Sequence, residues 1–402
     1  MTTKLRAASF QNSLIDSAMI PTNAITSAKI AADAVTSAKI AGGAVDSDAI
    51  GSSAIPVNKL NIDQIGGRRN VVINGAMQVA QRSTSETGLG ASHGYFTLDR
   101  FQHNHNGNSA GRYTSSQTAS GLDGFPNCLK LDCTTADTSI GAAERFFLNY
   151  QMEGQDIQHF KKGTSSAKDF VVSFYAKANG NFTYVCGFYD ANNNRTVSRT
   201  FSVTSNWQRF TINFGADTTG VFSNNNALSL QLRWYLHAGS NYTGGTLQTV
   251  WDAVTNNETA GGMTSSFFSS TDNEFFLTGV QLEVGAKSDG TSVATPFEHR
   301  SFGEEKMLCY RYYYKTNQGN HMLKTTSTGS SGDYYWYYYL PIPMRASPTC
   351  TVDGGSDNYN HTASPSIMAR GSLNMANINV SKTGTASNAY FTLDGITADA
   401  EL

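Results

Sequence analysis

The chain has 402 residues; 15% are charged, and 29 basic against 31 acidic side chains leave a net charge of −2. That length calls for two or three domains, and an even charge without a basic stripe excludes a nucleic-acid partner. With 37 glycines and 11% aromatics, the mix suits turns, strands and a β-rich core.

The sequence has no run of 18 apolar residues, so no membrane insertion is expected, and the N-terminus lacks the apolar stretch of a secretory leader. The five cysteines, 128, 133, 186, 309 and 350, include no CxxC pair and read as small buried hydrophobes.

Between Met1 and Arg69 the only aromatic is Phe10. Ala24–Asp33 (AITSAKIAAD) is followed at once by its near-copy Ala34–Gly43 (AVTSAKIAGG). Beneath the copies, every fifth residue is apolar: Leu5, Phe10, Ile15, Ile20, Ile25, Ile30, Val35, Ile40, Val45, Ile50, Ile55, Leu60 and Ile65. A step of five forms no stripe on a helix and alternates faces on an unbroken strand, so the chain must turn between hits. One thin apolar row needs neighbours to bury it. A single-chain solenoid and an intertwined trimer both supply them; the trimer is the expectation, with Ile15 through Ile65 as its shaft core. Gly66-Gly67 ends the repeat as a hinge, closing an attachment and shaft segment at residues 1–69.

From 70 to 300 the texture is all-β. Alternating runs occur at Phe170–Lys177, Phe182–Tyr189, Thr200–Val203, Gln208–Phe214 and Leu228–Tyr235, separated by Asn- and Gly-rich turns. This spacing predicts a jelly-roll β-sandwich. Asn70–Arg82 (NVVINGAMQVAQR) with Gly94–Phe101 (GYFTLDRF) resembles the opening of receptor-binding tail fibre proteins of tailed phages. FVVSFYAKANG, SVTSNWQRFTINF and FFLTGVQLEVG are similar to jelly-roll carbohydrate-binding modules on such fibres, and Ala294–Lys315 closes the unit in the same style. The resemblance implies a virion tail location, a homotrimer, attachment to other tail proteins through the N-terminus, and binding to a host-surface polysaccharide.

Within the sandwich, Trp207 is expected in the core. Trp234 and Tyr235 sit on an alternating strand, so one should point outward, and Trp251 falls in a polar loop; these are candidate glycan contacts. Residues 301–402 hold 11 of the 19 tyrosines, including Tyr334-Tyr335-Trp336-Tyr337-Tyr338-Tyr339. As a strand, this run sets Tyr335, Tyr337 and Tyr339 on one side and Trp336 on the other. Tyr335, Trp336 and Tyr337 complete the glycan-contact candidates, with strand packing or a trimer interface as the competing role. Met344–Val352 and Tyr390–Leu402 read as further strands of a small distal β domain, so a truncation at the end should damage folding.

Phosphate-loop and GxSxG signatures are absent. His103 and His105 share a strand face but lack a visible third ligand, so no metal site is assigned. Glu144, Glu153 and Asp156 read as a solvated polar face. A structural calcium held by scattered oxygens stays open. The expectation is a non-enzymatic tail fibre in three parts, 1–69, 70–300 and 301–402. The alternatives are a tail adaptor without glycan binding and a polysaccharide depolymerase.

Overall fold

The computed structural model describes residues 68–285, 294–316, 321–325, 332–353, 358–359, 366–368, 374–382, 389–393 and 395–402, with residues 26, 30, 34–36 and 40. The chain divides into two compact units, 1–61 and 62–402. In the first, Ile30, Val35 and Ile40 of the fivefold series are exposed. The remaining members of that series lie outside the described residues.

The second unit is built on two six-stranded antiparallel sheets. The strands, in chain order, are β1 (Ser85–Leu89), β2 (Phe101–Asn106), β3 (Arg112–Leu122), β4 (Phe125–Thr135), β5 (Arg145–Glu153), β6 (Phe170–Ala178), β7 (Phe182–Asp190), β8 (Arg195–Val203), β9 (Gln208–Phe214), β10 (Leu228–Ala238), β11 (Asp252–Ala253) and β12 (Glu274–Val284). One sheet runs β1-β3-β4-β12-β6-β9 and the other β11-β8-β7-β10-β5-β2. The alternation seen in the sequence sets β6, β7, β9 and β10, whereas β8 begins five residues before Thr200, at Arg195. Phe170, Val172 and Phe174 of one sheet meet Leu148, Tyr150, Leu232 and Trp234 of the other in a single core. Each such side chain contributes about 1.5–3 kcal/mol of burial.

The ladder between β12 and β6 shifts register between Thr278 and Gln281. Gly279 sits there at φ +61°, and a Cβ would lie 2.8 Å from the Tyr175 ring, so the bulge requires glycine.

Beyond the sandwich, Ser240–Thr243 forms a single helical turn, α1, and Phe302–Tyr310 a helix, α2. The second departs from the all-β expectation for this stretch. Its start signal was in the sequence: the Ser301 side chain accepts from Glu304 N at 3.3 Å, as an N-cap does.

The C-terminal strands are β13 (Tyr313–Lys315), β14 (His321–Thr325), β15 (Gly332–Tyr339), β16 (Thr349–Asp353), β17 (Asn358–Tyr359), β18 (Ser366–Met368), β19 (Met375–Lys382), β20 (Ala389–Leu393) and β21 (Gly395–Asp399). They pair as three small sheets, β13-β21-β16, β14-β20-β17 and β15-β19-β18. The first is pinned to the sandwich by Arg82 to Asp399 at 3.0 Å and by Arg311, just before β13, to Glu153 at 2.7 Å.

Candidate functional site

A cleft of about 400 Å³ opens where the sandwich, α2 and β13 meet. Its lining includes Gln78 and Gln81 from the segment before β1, Gln117 of β3, Phe302 and Lys306 of α2, and Lys315. The walls are fixed from behind. Buried Glu305 accepts from Asn74 N at 2.6 Å and from Arg300 at 3.2 Å, which seats α2 on the segment that precedes β1. Gln81 Nε2 donates to the Tyr313 carbonyl at 2.8 Å, and its backbone N donates to buried Asp99 at 2.9 Å. Burial pushes Asp99 up to about 6, against the pull of the Gln81 bonds.

The polar side chains that line the cleft include amides and the two lysines. Gln117 spends one N–H on the Met77 carbonyl at 2.7 Å, which leaves its carbonyl oxygen free to accept. Lys306 stands 5.9 Å from the Phe302 ring, and that ring is 54% exposed at the lip. An aromatic face beside convergent amide donors and acceptors in a space this size suits one or two sugar rings.

A second aromatic surface lies on β15. Tyr337 and Tyr339 share one side and are 57% and 72% exposed. Tyr338, between them, points the other way, and its hydroxyl meets that of Tyr314 at 2.7 Å. The alternation of the tyrosine run thus yields one anchored and one open face. For Tyr335 and Trp336 the side chains lie outside what the structure describes.

The remaining aromatic candidates are closed to solvent. Trp234 is fully buried in the sandwich core. Tyr235 faces the opposite way, as alternation requires, but the excursion through Tyr242 and Ala260 covers it, leaving it 2% exposed. Trp251 is 9% exposed; it packs on Phe170 and donates its indole N–H to the Gly215 carbonyl at 2.9 Å. A ring enclosed in this way cannot stack on a sugar, so these expectations are corrected. Trp207 is corrected in the other direction: it is half-buried outside the core cluster, with its N–H on the Ser120 carbonyl at 2.9 Å.

His103 and His105 do come together, on the Tyr113 hydroxyl, at 2.7 and 2.9 Å. That hydroxyl donates to one ring and accepts the N–H of the other. Burial pushes both imidazoles down to about 3, so they are neutral core residues. Glu144, Glu153 and Asp156 form no shared polar face. Glu144 and Glu153 flank opposite ends of β5, about 30 Å apart, and both are buried, whereas Asp156 is exposed. All five cysteines are free, four of them buried as expected and Cys350 half-buried.

No family model matches this chain. Comparison with curated proteins likewise finds no match. Among solved structures, the chain is similar to the family 11 carbohydrate-binding module of a Clostridium thermocellum cellulosomal cellulase at 11% identity. That match covers 50% of this chain and 96% of the module, with a TM-score of 0.25. TmCBM61 in complex with β-1,4-galactotriose matches at 9% identity over 54% of this chain and 99% of its own, with a TM-score of 0.27. The enzymatically active domain of bacteriophage CBA120 tailspike protein 4 matches at 10% identity with a TM-score of 0.25. There the match covers 54% of this chain and 21% of the tailspike chain.

Proposed function

We propose that the chain is a non-enzymatic phage tail fibre that binds a host-surface glycan, as a homotrimer held by its N-terminal repeat. The observation that carries the glycan reading is the cleft with Gln78, Gln117 and Lys306 around the exposed Phe302 ring. Planar amides match the paired hydroxyls of a sugar, and the ring offers its apolar face. A surface of low charge suits a neutral or mixed glycan, because it limits nonspecific attraction. The tyrosines at 337 and 339 offer a second contact. For assembly, the support is the unbroken fivefold apolar series and the exposure of Ile30, Val35 and Ile40 in a single chain. Three copies on one axis would turn weak single-site contacts into avidity of about 10²-fold or more.

A glycan array probed with the full chain, alongside its solution mass, tests this reading. The expected result is a trimer with a coherent set of glycan hits. A trimer with no hits that binds tail proteins would establish the adaptor alternative. Release of reducing ends from a polysaccharide would establish the depolymerase.

A further inference from the structure

At one end of the sandwich, the β4–β5 loop and the end of β10 bring Asp137, Glu144 and His237 together. One potential ligand atom from each lies within 4.8 Å of the others, and all three residues are buried. We propose that this cluster is a binding site for a zinc-class divalent cation.

The His237–Glu144 spacing is that of two ligands around a small ion. His237 Nε2 and Glu144 Oε2 are 3.4 Å apart. Two ligands at about 2.1 Å from a tetrahedral zinc are separated by about 3.4 Å, and three protein ligands leave a fourth position for water. Each ligand is also braced from outside. His237 Nδ1 bonds the Ser266 hydroxyl at 2.8 Å, and that hydroxyl in turn accepts from Phe268 N at 3.1 Å. An imidazole held through Nδ1 presents its Nε2 lone pair to the cluster, the arrangement a metal-bound histidine needs. Asp137 accepts from Ser109 Oγ at 2.7 Å and from Ala110 N at 2.9 Å. Glu144 is held through its backbone, where Gly239 N donates to its carbonyl at 2.8 Å.

The paired carboxylates need a balancing positive charge or proton. The Asp137 and Glu144 carboxylates are in side-chain hydrogen-bond contact, and among the described residues no Lys or Arg forms an ion pair with either. Two carboxylates in contact in a buried site need a positive charge or a proton between them. One imidazole nitrogen with few oxygens favours zinc over calcium, which takes six to eight oxygen ligands. Ser266, which holds His237, also lines a surface cleft of about 440 Å³ with Ile140 and Thr264. Bound there, the ion would tie the β4–β5 loop to the end of β10.

The test uses the full chain, stripped with a chelator and reloaded with Zn²⁺ or Ca²⁺, and reads metal content and melting temperature. The expected result is about one zinc per chain and a Tm rise of about 3–5 °C at a hundredfold excess over Kd, with no such rise for calcium. His237→Gln and Glu144→Gln should each weaken zinc uptake at least tenfold. Failure of the wild-type chain to hold zinc or gain stability overturns the proposal, as does a response to calcium alone. Zinc uptake by His237→Gln equal to wild type also overturns it. The wild-type readouts decide the matter even where a variant does not fold.

Discussion

Arg100, 1% exposed inside the sandwich, pairs its guanidinium with the carboxylate of Glu401, two residues beyond β21. The same side chain donates to the Gln151 carbonyl at 2.6 Å and lies 3.4 Å from the Tyr312 ring centre. The C-terminal segment therefore supplies the counter-charge for a cation the sandwich buries. Glu401→Ala leaves that cation unpaired and should destabilise residues 62–402 by about 3–5 kcal/mol, read from urea denaturation. A loss below 1 kcal/mol would mean that water reaches Arg100.

Lys162 makes the second buried ionic network. Its ammonium meets Asp190 at 2.6 Å and Asp217 at 3.0 Å, and Arg195 joins Asp217 at 2.8 Å. The bonds to Asp217 from Arg195, Thr219 N and Lys162 outweigh its burial and hold its carboxyl below the usual range. Lys162→Met strands Asp190 and should cost about 3–5 kcal/mol. The Lys162→Met, Asp190→Asn double variant should recover part of that loss, a coupling that a double-mutant cycle measures. Since Lys162 lies 5.1 Å from the Trp251 ring, the single change should also alter tryptophan fluorescence.

The histidine pair sets an acid limit. In the unfolded chain each imidazole protonates near its ordinary 6.5, but in the folded chain burial defers this to about 3. Unfolding thus takes up protons between those values, so the contribution is complete above pH 6.5 and is lost as pH falls toward 3. Stability measured from pH 7 to 4 should decline, and His105→Gln should flatten the slope. Tyr113→Phe removes the shared partner of both rings and should cost about 1–3 kcal/mol at pH 7.

The tyrosine run on β15 should separate packing from surface. Tyr338→Phe loses the bond to Tyr314 and should cost about 1 kcal/mol. Tyr337→Ser and Tyr339→Ser, at exposed positions, should change stability by less than about 0.5 kcal/mol each while weakening glycan binding. A large stability loss, or a change in solution mass, would assign that face to assembly.

The sandwich was legible because its inner strands alternate: Phe170, Val172 and Phe174 announce both strand and face. Alternation could not say what lies over the outer face, so Tyr235 read as open when the excursion through Tyr242 covers it. Trp251 misled for a related reason. Its polar neighbours are loop residues, but the loop folds inward to place the indole on Phe170. The capping pair Ser301 and Glu304 was readable and marks α2, one wall of the cleft. Gln78, Gln117 and Phe302 converge from distant segments, as His237 does on the β4–β5 loop that carries Asp137 and Glu144, and no local spacing encodes such a meeting.

The most direct test of the glycan reading is titration calorimetry of the full chain with the strongest neutral oligosaccharide from the array, comparing wild type with Phe302→Ala and Gln117→Ala. The account predicts at least tenfold weaker binding for each variant with solution mass unchanged; melting temperature holds in Phe302→Ala, where the side chain is 54% exposed, and falls slightly in Gln117→Ala, which loses the bond to the Met77 carbonyl. Wild-type affinity in both variants would contradict it.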